Sequence, residues 1–320
     1  MSDWALGLEI GGTKLQAALG SRDGIIAHRQ RGAADSSAGA ESILSWFDHS
    51  IPALLEQAAK DGPRVTAIGV GFGGPVDSAA GTALVSHQVG GWSGFPLKRW
   101  FEERFDLPAT IANDANAAGW AEYCCGAGKG TRTFCYMNIG SGIGGAFVIN
   151  GQLHDGHGFG AAEIGHTYVP DFTSPAPGAA DKLEHLCSGW SIEKRVRMVA
   201  SLEPSSPLAM HCSNNPNAIT CAMLADAARE GDPVALQEIE QVAAALGHAL
   251  SKVITLIHPE FVALGGGVRL MGDVLLDPIR KHVDALVFGP YRDRYRIVPC
   301  ALGEDVVLVG GLLLASATSR

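Results

Sequence analysis

Glu9-Ile10-Gly11-Gly12-Thr13-Lys14 stands between two short apolar runs, residues 4–8 and 15–19. Two such runs joined by Gly-Gly predict strand, tight turn, strand. The turn carries an acid, two glycines, a hydroxyl and a lysine. Glycine lets backbone come close to a bulky anion, and successive turn amides form an anion-binding nest. Thr13 and Lys14 add donors, and Glu9 is a carboxylate able to hold a hydrated Mg²⁺. An ordinary hairpin with a charged tip has the same local pattern, so the turn alone leaves both readings open.

The arrangement returns later. Residues 133–139 read as a strand, followed by Gly140-Ser141-Gly142-Ile143-Gly144-Gly145, then Ala146-Phe147-Val148-Ile149, then Asn150-Gly151. G-x-G-x-x-G is a dinucleotide fingerprint only where it opens a helix. Here an apolar run of four closes in Asn-Gly, a strong hairpin signal. Two glycine-rich hairpins about one domain apart predict a duplicated fold that holds nucleotide between its halves. No G-x-x-x-x-G-K-[ST] occurs, which excludes a P-loop.

Between the hairpins, residues 25–31 continue the strand pattern and residues 40–60 show helical spacing. Residues 65–72 form a near-continuous apolar run, as expected of a strand covered on both faces. It ends in Gly73-Gly74-Pro75-Val76-Asp77, a turn where backbone can meet a ligand, or a plain loop. Pro96 falls near the first turn of a helix. A short strand at 109–112 leads into Asn113-Asp114-Ala115-Asn116-Ala117-Ala118 and a helix of small residues through Glu122. Asp114, at a strand end and a helix start, reads equally as an N-cap or as a catalytic carboxylate at the carboxyl edge of a sheet.

The second half carries a Gly- and His-rich stretch with Glu163-x-x-His166, a pair able to bind metal or the hydroxyl groups of a polar ligand. Residues 170–181 read as a loop and 183–198 as one helix. Residues 204–217 read as a loop, with helices at 220–230 and 233–257. A strand at 261–264 ends in Gly265-Gly266-Gly267, and helix 272–286, strand 294–299 and helix 308–318 follow. The class is α/β with mixed sheets.

The 320 residues suffice for two domains, and 47% apolar content predicts a folded chain. A net charge of −9 argues against a nucleic-acid surface. No run of 18 apolar residues and no signal pattern at the N-terminus is found, so no membrane contact and a cytoplasmic location are expected. Seven scattered cysteines with no C-x-x-C point neither to a disulfide framework nor to a cysteine metal site.

Taken in order, the motifs resemble the ROK family of sugar kinases and sugar-responsive repressors, within the actin-like ATPase folds. The matching stretches are Glu9 to Lys14, Gly71-Phe-Gly-Gly-Pro-Val-Asp77, Asn113 to Ala118 with Glu122, Gly140 to Gly145, Ala162-Glu-Ile-Gly-His166, Leu183-Glu184 with Ser188-Gly189, and Leu264-Gly-Gly-Gly267. They span nearly the whole chain. The resemblance implies two actin-like (ribonuclease H-like) domains with a nucleotide and sugar cleft between them: residues 1–115, joined by a C-terminal helix at about 306–320, and residues 116–305.

It also implies an ATP-dependent kinase moving the γ-phosphoryl group to a hexose hydroxyl, glucose-type and at the 6-position. Asp114 matches the catalytic base. Asn113, Glu163, His166, Glu184 and Gly74 match sugar contacts. Glu9, Gly11, Gly12, Thr13 and Lys14, with Gly140, Ser141, Gly142 and Gly144, match the nucleotide's phosphate loops, and Gly265, Gly266 and Gly267 lie beside the adenosine. Mg²⁺ arrives with ATP, and a homodimer is expected. The alternatives are an N-acetylhexosamine kinase and an inactive sugar sensor. A repressor needs a helix-turn-helix ahead of the first motif, where three residues precede Trp4.

Four departures stand out. Glu9 replaces the usual Asp and is one methylene longer. Ser141 replaces Thr. Gln88 stands where Asn is usual before the Trp. The family's zinc-binding cysteine cluster between His166 and Glu184 gives way to Thr173-Ser174-Pro175-Ala176-Pro177-Gly178-Ala179, with only Cys187 nearby, so no structural zinc is expected.

Overall fold

The computed structural model describes residues 3–35, 37–86, 89–198 and 203–316. Gln88 and the last two residues of the expected 308–318 helix lie outside the described residues. In chain order the elements begin with β1 (Trp4–Ile10), β2 (Lys14–Ser21), β3 (Ile26–Ala33), α1 (Gly39–Asp61), β4 (Val65–Phe72), β5 (Val76–Asp77), β6 (Thr82–Ala83), α2 (Leu97–Phe105), β7 (Ala109–Asn113) and α3 (Asp114–Cys125). Next come β8 (Phe134–Ile139), β9 (Ile143–Ile149), β10 (Gln152–His154), β11 (Tyr168–Pro170), β12 (Ala180–Lys182), α4 (Leu183–Cys187) and α5 (Gly189–Arg197). The chain continues through α6 (Pro207–His211), α7 (Cys221–Arg229), α8 (Pro233–Ile257), β13 (Phe261–Gly265), α9 (Asp273–Leu286), β14 (Arg296–Pro299) and α10 (Val306–Leu314).

Two compact units form. Unit 1 comprises Met1–Tyr136, Ala146–Ala162 and Cys300–Arg320. Its sheet runs β3-β2-β1-β4-β7. β1 pairs antiparallel with β2 and parallel with β4, and β4 pairs parallel with β7. Alternation along β1 and β4 sets the two faces. Leu6, Leu8, Ile10, Ile68, Val70 and Phe72 join Ile43, Phe47 and Ile51 of α1 and Leu97 and Phe101 of α2 in one buried cluster.

The intervening residues of β1 and β4 include Ala5, Gly7, Ala67, Gly69 and Gly71, a face of small residues. A Cβ on Gly7 would fall 2.4 Å from the Leu308 carbonyl oxygen, and one on Gly69 only 1.9 Å from that of Gly311. The small face exists because α10 lies on the sheet backbone to backbone. On its other side, a Cβ on Gly310 would meet the Ala117 carbonyl oxygen of α3 at 2.1 Å.

Glu122 fastens this layer. It is fully buried, and its carboxylate accepts from the amides of Ala127 (2.8 Å), Ala301 (2.9 Å) and Leu302 (2.8 Å). A buried carboxylate is tolerable only when hydrogen-bonded in this way. Unit 1 accordingly takes in α3, which packs on α10 and is tied to residue 301.

Unit 2 comprises Met137–Gly145 and Glu163–Pro299. β13 and β14 pair in parallel within it. The second sheet has the order β10-β9-β8-β13-β14. The Asn-Gly signal holds: Asn150 (φ 53°) and Gly151 (φ 80°) are both left-handed, and Ile149 pairs with Gln152. The glycine-rich stretch 140–145 therefore opens β9 and not a helix. α8 starts at Pro233 behind Asp232, a buried cap accepting from Val234 and Ala235 amides and, through its other oxygen, from Leu208.

Three expectations need correction. The single helix over 183–198 is broken at Ser188, whose extended backbone (φ −67°, ψ 152°) lets the Gly189 amide donate to the Gly140 carbonyl at 2.8 Å. The 204–217 loop contains α6, started by Ser206 and Pro207. The 170–181 loop is the tip of the β11–β12 hairpin, where Asp171 accepts from the Thr173 amide (2.8 Å) and hydroxyl (2.6 Å). No helix among the described residues is long and apolar enough to cross a membrane.

Candidate active site

In unit 1, Ile10, Phe72 and Asn113 lie in register at the carboxyl ends of three parallel strands. The turns that follow therefore share one sheet edge, the position where open α/β folds meet ligands. They are also bonded to one another. The Gly73 amide donates to the Ile10 carbonyl at 2.8 Å, and Asn113 Nδ2 donates to the Gly74 carbonyl at 3.0 Å. A Cβ on Gly73 would lie 3.5 Å from Gly11 Cα and 3.6 Å from Asp114 Oδ2. Gly73 thus sits between the first hairpin turn and the Asp114 carboxylate.

Asn113, not Asp114, caps α3. Its Oδ1 accepts from the amides of Ala115 (2.9 Å) and Asn116 (3.3 Å). Asp114 is the first helical residue, with Oδ1 accepting from the Ala115 amide at 2.8 Å. Negative charge in a first helical turn is favoured by the helix dipole. Of the sugar contact expected from Asn113, its carbonyl oxygen is committed to the cap; one amide hydrogen remains after Gly74.

Glu9 is nearly buried. Its Oε1 lies 3.1 Å from Lys14 Nζ, and its Oε2 accepts from Gln16 Nε2 at 2.7 Å. Gln16 accepts in turn from Arg31 Nε at 2.8 Å, and Arg31 reaches Asp305 at 3.3 Å. The chain of polar groups beyond Gln16 joins residues distant in sequence and was not apparent there. The amides of Gly12 and Thr13 donate to no protein acceptor among the described residues, which fits an anionic ligand at the turn. The buried Tyr136 phenol is pushed well above its usual range by desolvation, then by Cys300, Asp114, Glu122 and Glu9. It stays a neutral donor.

In unit 2 the second turn is braced on several sides. Gly140 accepts from Gly189, and the Gly144 amide donates to Asn138 Oδ1 at 2.8 Å. The Ile143 amide donates to Glu184 Oε2 at 2.8 Å. Gly266 (φ 78°) packs on the end of β8, where a Cβ would fall 2.4 Å from the Ile139 carbonyl oxygen. The Gly265–Gly267 turn and the Gly140–Gly142 turn are therefore neighbours. Ser141 and Gly142 amides, like those of the first turn, meet no protein acceptor among the described residues.

Glu163 and His166 flank the short Ile164–His166 turn, both exposed, with Oε2 and Nε2 4.0 Å apart. The chain leaves this turn through β11, returns through β12 and enters α4 at Leu183, whose amide donates to Thr167 at 2.9 Å. The hairpin thus sets Glu184 on a helix packed against the Ile164–His166 turn. Among the described residues, no group of three or more His, Cys, Asp or Glu side chains is arranged to hold a metal ion.

The sequence matches the ROK family over residues 5–318. The chain belongs to the ROK family. It is 32% identical over 314 residues to a glucokinase of Streptomyces coelicolor, covering 97% of this chain and 96% of that one. It is 30% identical over 306 residues to a glucokinase of Thermotoga maritima, covering 95% of each. The crystal structure of a ROK family glucokinase from Streptomyces griseus, in complex with glucose and AMPPNP, aligns with a TM-score of 0.81 at 32% identity, over 98% of this chain and 99% of that one. The mixed α/β architecture of this ROK protein is thus the two-domain, actin-like one.

Proposed function

We propose that this protein is an ATP-dependent sugar kinase that transfers the γ-phosphoryl group to glucose, at the 6-hydroxyl. The observation that carries the reading is Asp114: a carboxylate at the carboxyl ends of the parallel strands of unit 1, beside the Asn113 that caps α3 and next to a glycine hairpin with unfilled amides. The kinship with glucokinases supports the same choice.

Phosphoryl transfer is mainly a matter of positioning and charge stabilisation. Asp114 takes the hydroxyl proton as the sugar oxygen bonds to the γ-phosphorus and ADP leaves. The amides of residues 12–13 and 141–142, with Lys14, hold phosphate oxygens. Glu163, His166 and Glu184, with Asn113 Nδ2, take sugar hydroxyls. Mg²⁺ bound with ATP would neutralise phosphate charge, and Glu9, a carboxylate at the start of the first turn and paired with Lys14, would be placed to hold its hydration shell.

A coupled ADP-release assay over glucose, mannose, fructose, allose, N-acetylglucosamine and N-acetylmannosamine tests the reading. Glucose is expected to give the highest kcat/KM. Higher turnover of either N-acetylhexosamine would replace glucose by that class, and no ADP with any sugar would remove the kinase reading. The 171–179 tip carries no cysteine cluster, and its Asp171 accepts from the Thr173 amide and hydroxyl. Protein purified without chelator is therefore expected to carry no stoichiometric zinc by mass spectrometry, and EDTA should leave its Tm unchanged; one zinc per chain would refute this.

A further inference from the structure

Two of the sugar-assigned segments of unit 2 are built onto the second glycine turn through a single residue, Ile143. Its amide donates to Glu184 Oε2 at 2.8 Å, and its carbonyl oxygen lies 2.2 Å from where a Cβ on Gly165 would stand. Gly165 is the glycine between Glu163 and His166. A third tie, Gly189 N–H to the Gly140 carbonyl at 2.8 Å, clamps the far end of the α4 segment to the same turn.

Glu184 itself is used asymmetrically. Oε2 is occupied by the turn amide, whereas Oε1 accepts no hydrogen bond from any described residue, and the residue is only half-buried. A carboxylate has acceptor capacity on both oxygens, so Oε1 is left for a donor from outside the protein. A Cβ at residue 142 would fall 2.8 Å from Oε2, so a side chain there would press on the carboxylate and displace it. The turn thus crosses the carboxylate in close contact, with the Glu184 side-chain end as the part that would give way.

We propose that Glu184 is a positioning residue for the phosphate turn as well as a sugar contact, and that it couples hexose binding to nucleotide binding so that each tightens the other. The proposal rests on the reading of Glu184 as a sugar contact given above. A hydroxyl donating to Oε1 fixes the carboxylate plane, and the fixed Oε2 holds the Ile143 amide and with it the turn. The ordering of the turn is then met by the first ligand, and the second binds without repeating it. Such coupling is reciprocal by thermodynamic necessity.

Calorimetric Kd values for glucose and for Mg²⁺·AMPPNP, each alone and with the other saturating, test this in wild type, Gly142→Ala and Glu184→Ala. Wild type is expected to show mutual tightening of roughly fivefold or more. Gly142→Ala, which presses on the carboxylate from the turn side, is expected to weaken glucose binding measured without nucleotide. Glu184→Ala is expected to weaken AMPPNP binding measured without sugar. In both variants the mutual tightening disappears. Should Gly142→Ala fail to fold by circular dichroism, Glu184→Asp replaces it: one methylene shorter, it cannot serve turn and sugar together, and it too loses the coupling. Tight binding of both ligands by wild type with no mutual effect, or variants whose cross-effects stay within about twofold, overturns the proposal and leaves the kinase reading standing. Absence of hexose binding by wild type overturns both.

Discussion

Asp114→Asn is expected to lower kcat by a factor of about 10²–10⁴, the range for loss of a general base. The Kd values for sugar and nucleotide should stay within about threefold, since only an interaction of the transition state is removed. The substitution is nearly isosteric. α3 is capped by Asn113, so the helix start does not depend on residue 114, and an Asn side-chain oxygen can still accept from the Ala115 amide, as Asp114 Oδ1 does at 2.8 Å. What is lost is the capacity to take a proton. Steady-state kinetics with equilibrium binding of both ligands decides the matter. Turnover within about tenfold of the parent means that another group accepts the proton.

Gly69→Val is expected to prevent unit 1 from folding. The new Cβ would lie 1.9 Å from the Gly311 carbonyl oxygen and 2.7 Å from its carbon. Both atoms belong to the backbone of α10, so no side chain can swing aside, and the helix must lift off the sheet. Ordinary overpacking destabilises by about 1–3 kcal/mol. Backbone displacement along a whole helix belongs in the tail above about 4 kcal/mol, a large share of the ~5–15 kcal/mol of a typical domain. Gly90→Ala serves as the control, because no described residue lies within 4 Å of its Cβ position. Melting curves should show Gly90→Ala close to the parent and Gly69→Val insoluble or lower in Tm by more than about 10 °C. A Gly69→Val protein melting within about 3 °C of the parent would mean that α10 does not seat on the sheet as described.

Much of this fold is written locally. The β1–β2 and β9–β10 hairpins follow from turn chemistry, Gly-Gly after residue 10 and Asn-Gly at 150–151, which needs no partner to be read. β1 and β4 are legible as apolar runs, that of β4 near-continuous as in a strand covered on both faces. What escaped the sequence depends on distant partners. Asn113 and Asp114 are equal in rank as caps, and only the extended backbone at 113 (φ −60°, ψ 147°) decides between them. The break at Ser188 answers a hydrogen bond to Gly140, not any lapse in apolar spacing. Glu122 looks like one more acid on a helix, yet its acceptors' partners lie 179 and 180 residues away. The candidate site divides the same way: its glycine turns and carboxylates were visible as residue types, whereas the ties of Glu184 to Ile143 and of Glu9 to Gln16 required the fold.

The seat of α10 on β1 and β4 also bears on how the chain is made. Unit 1 opens the sequence, but the glycine-lined face of its sheet has no cover until residues 306–314 have left the ribosome. Unit 2, whose segments end at Pro299, has all its parts earlier. β1 and β4 are thus sealed only after unit 2 has been made, and until then part of one apolar sheet face stays exposed to misassembly.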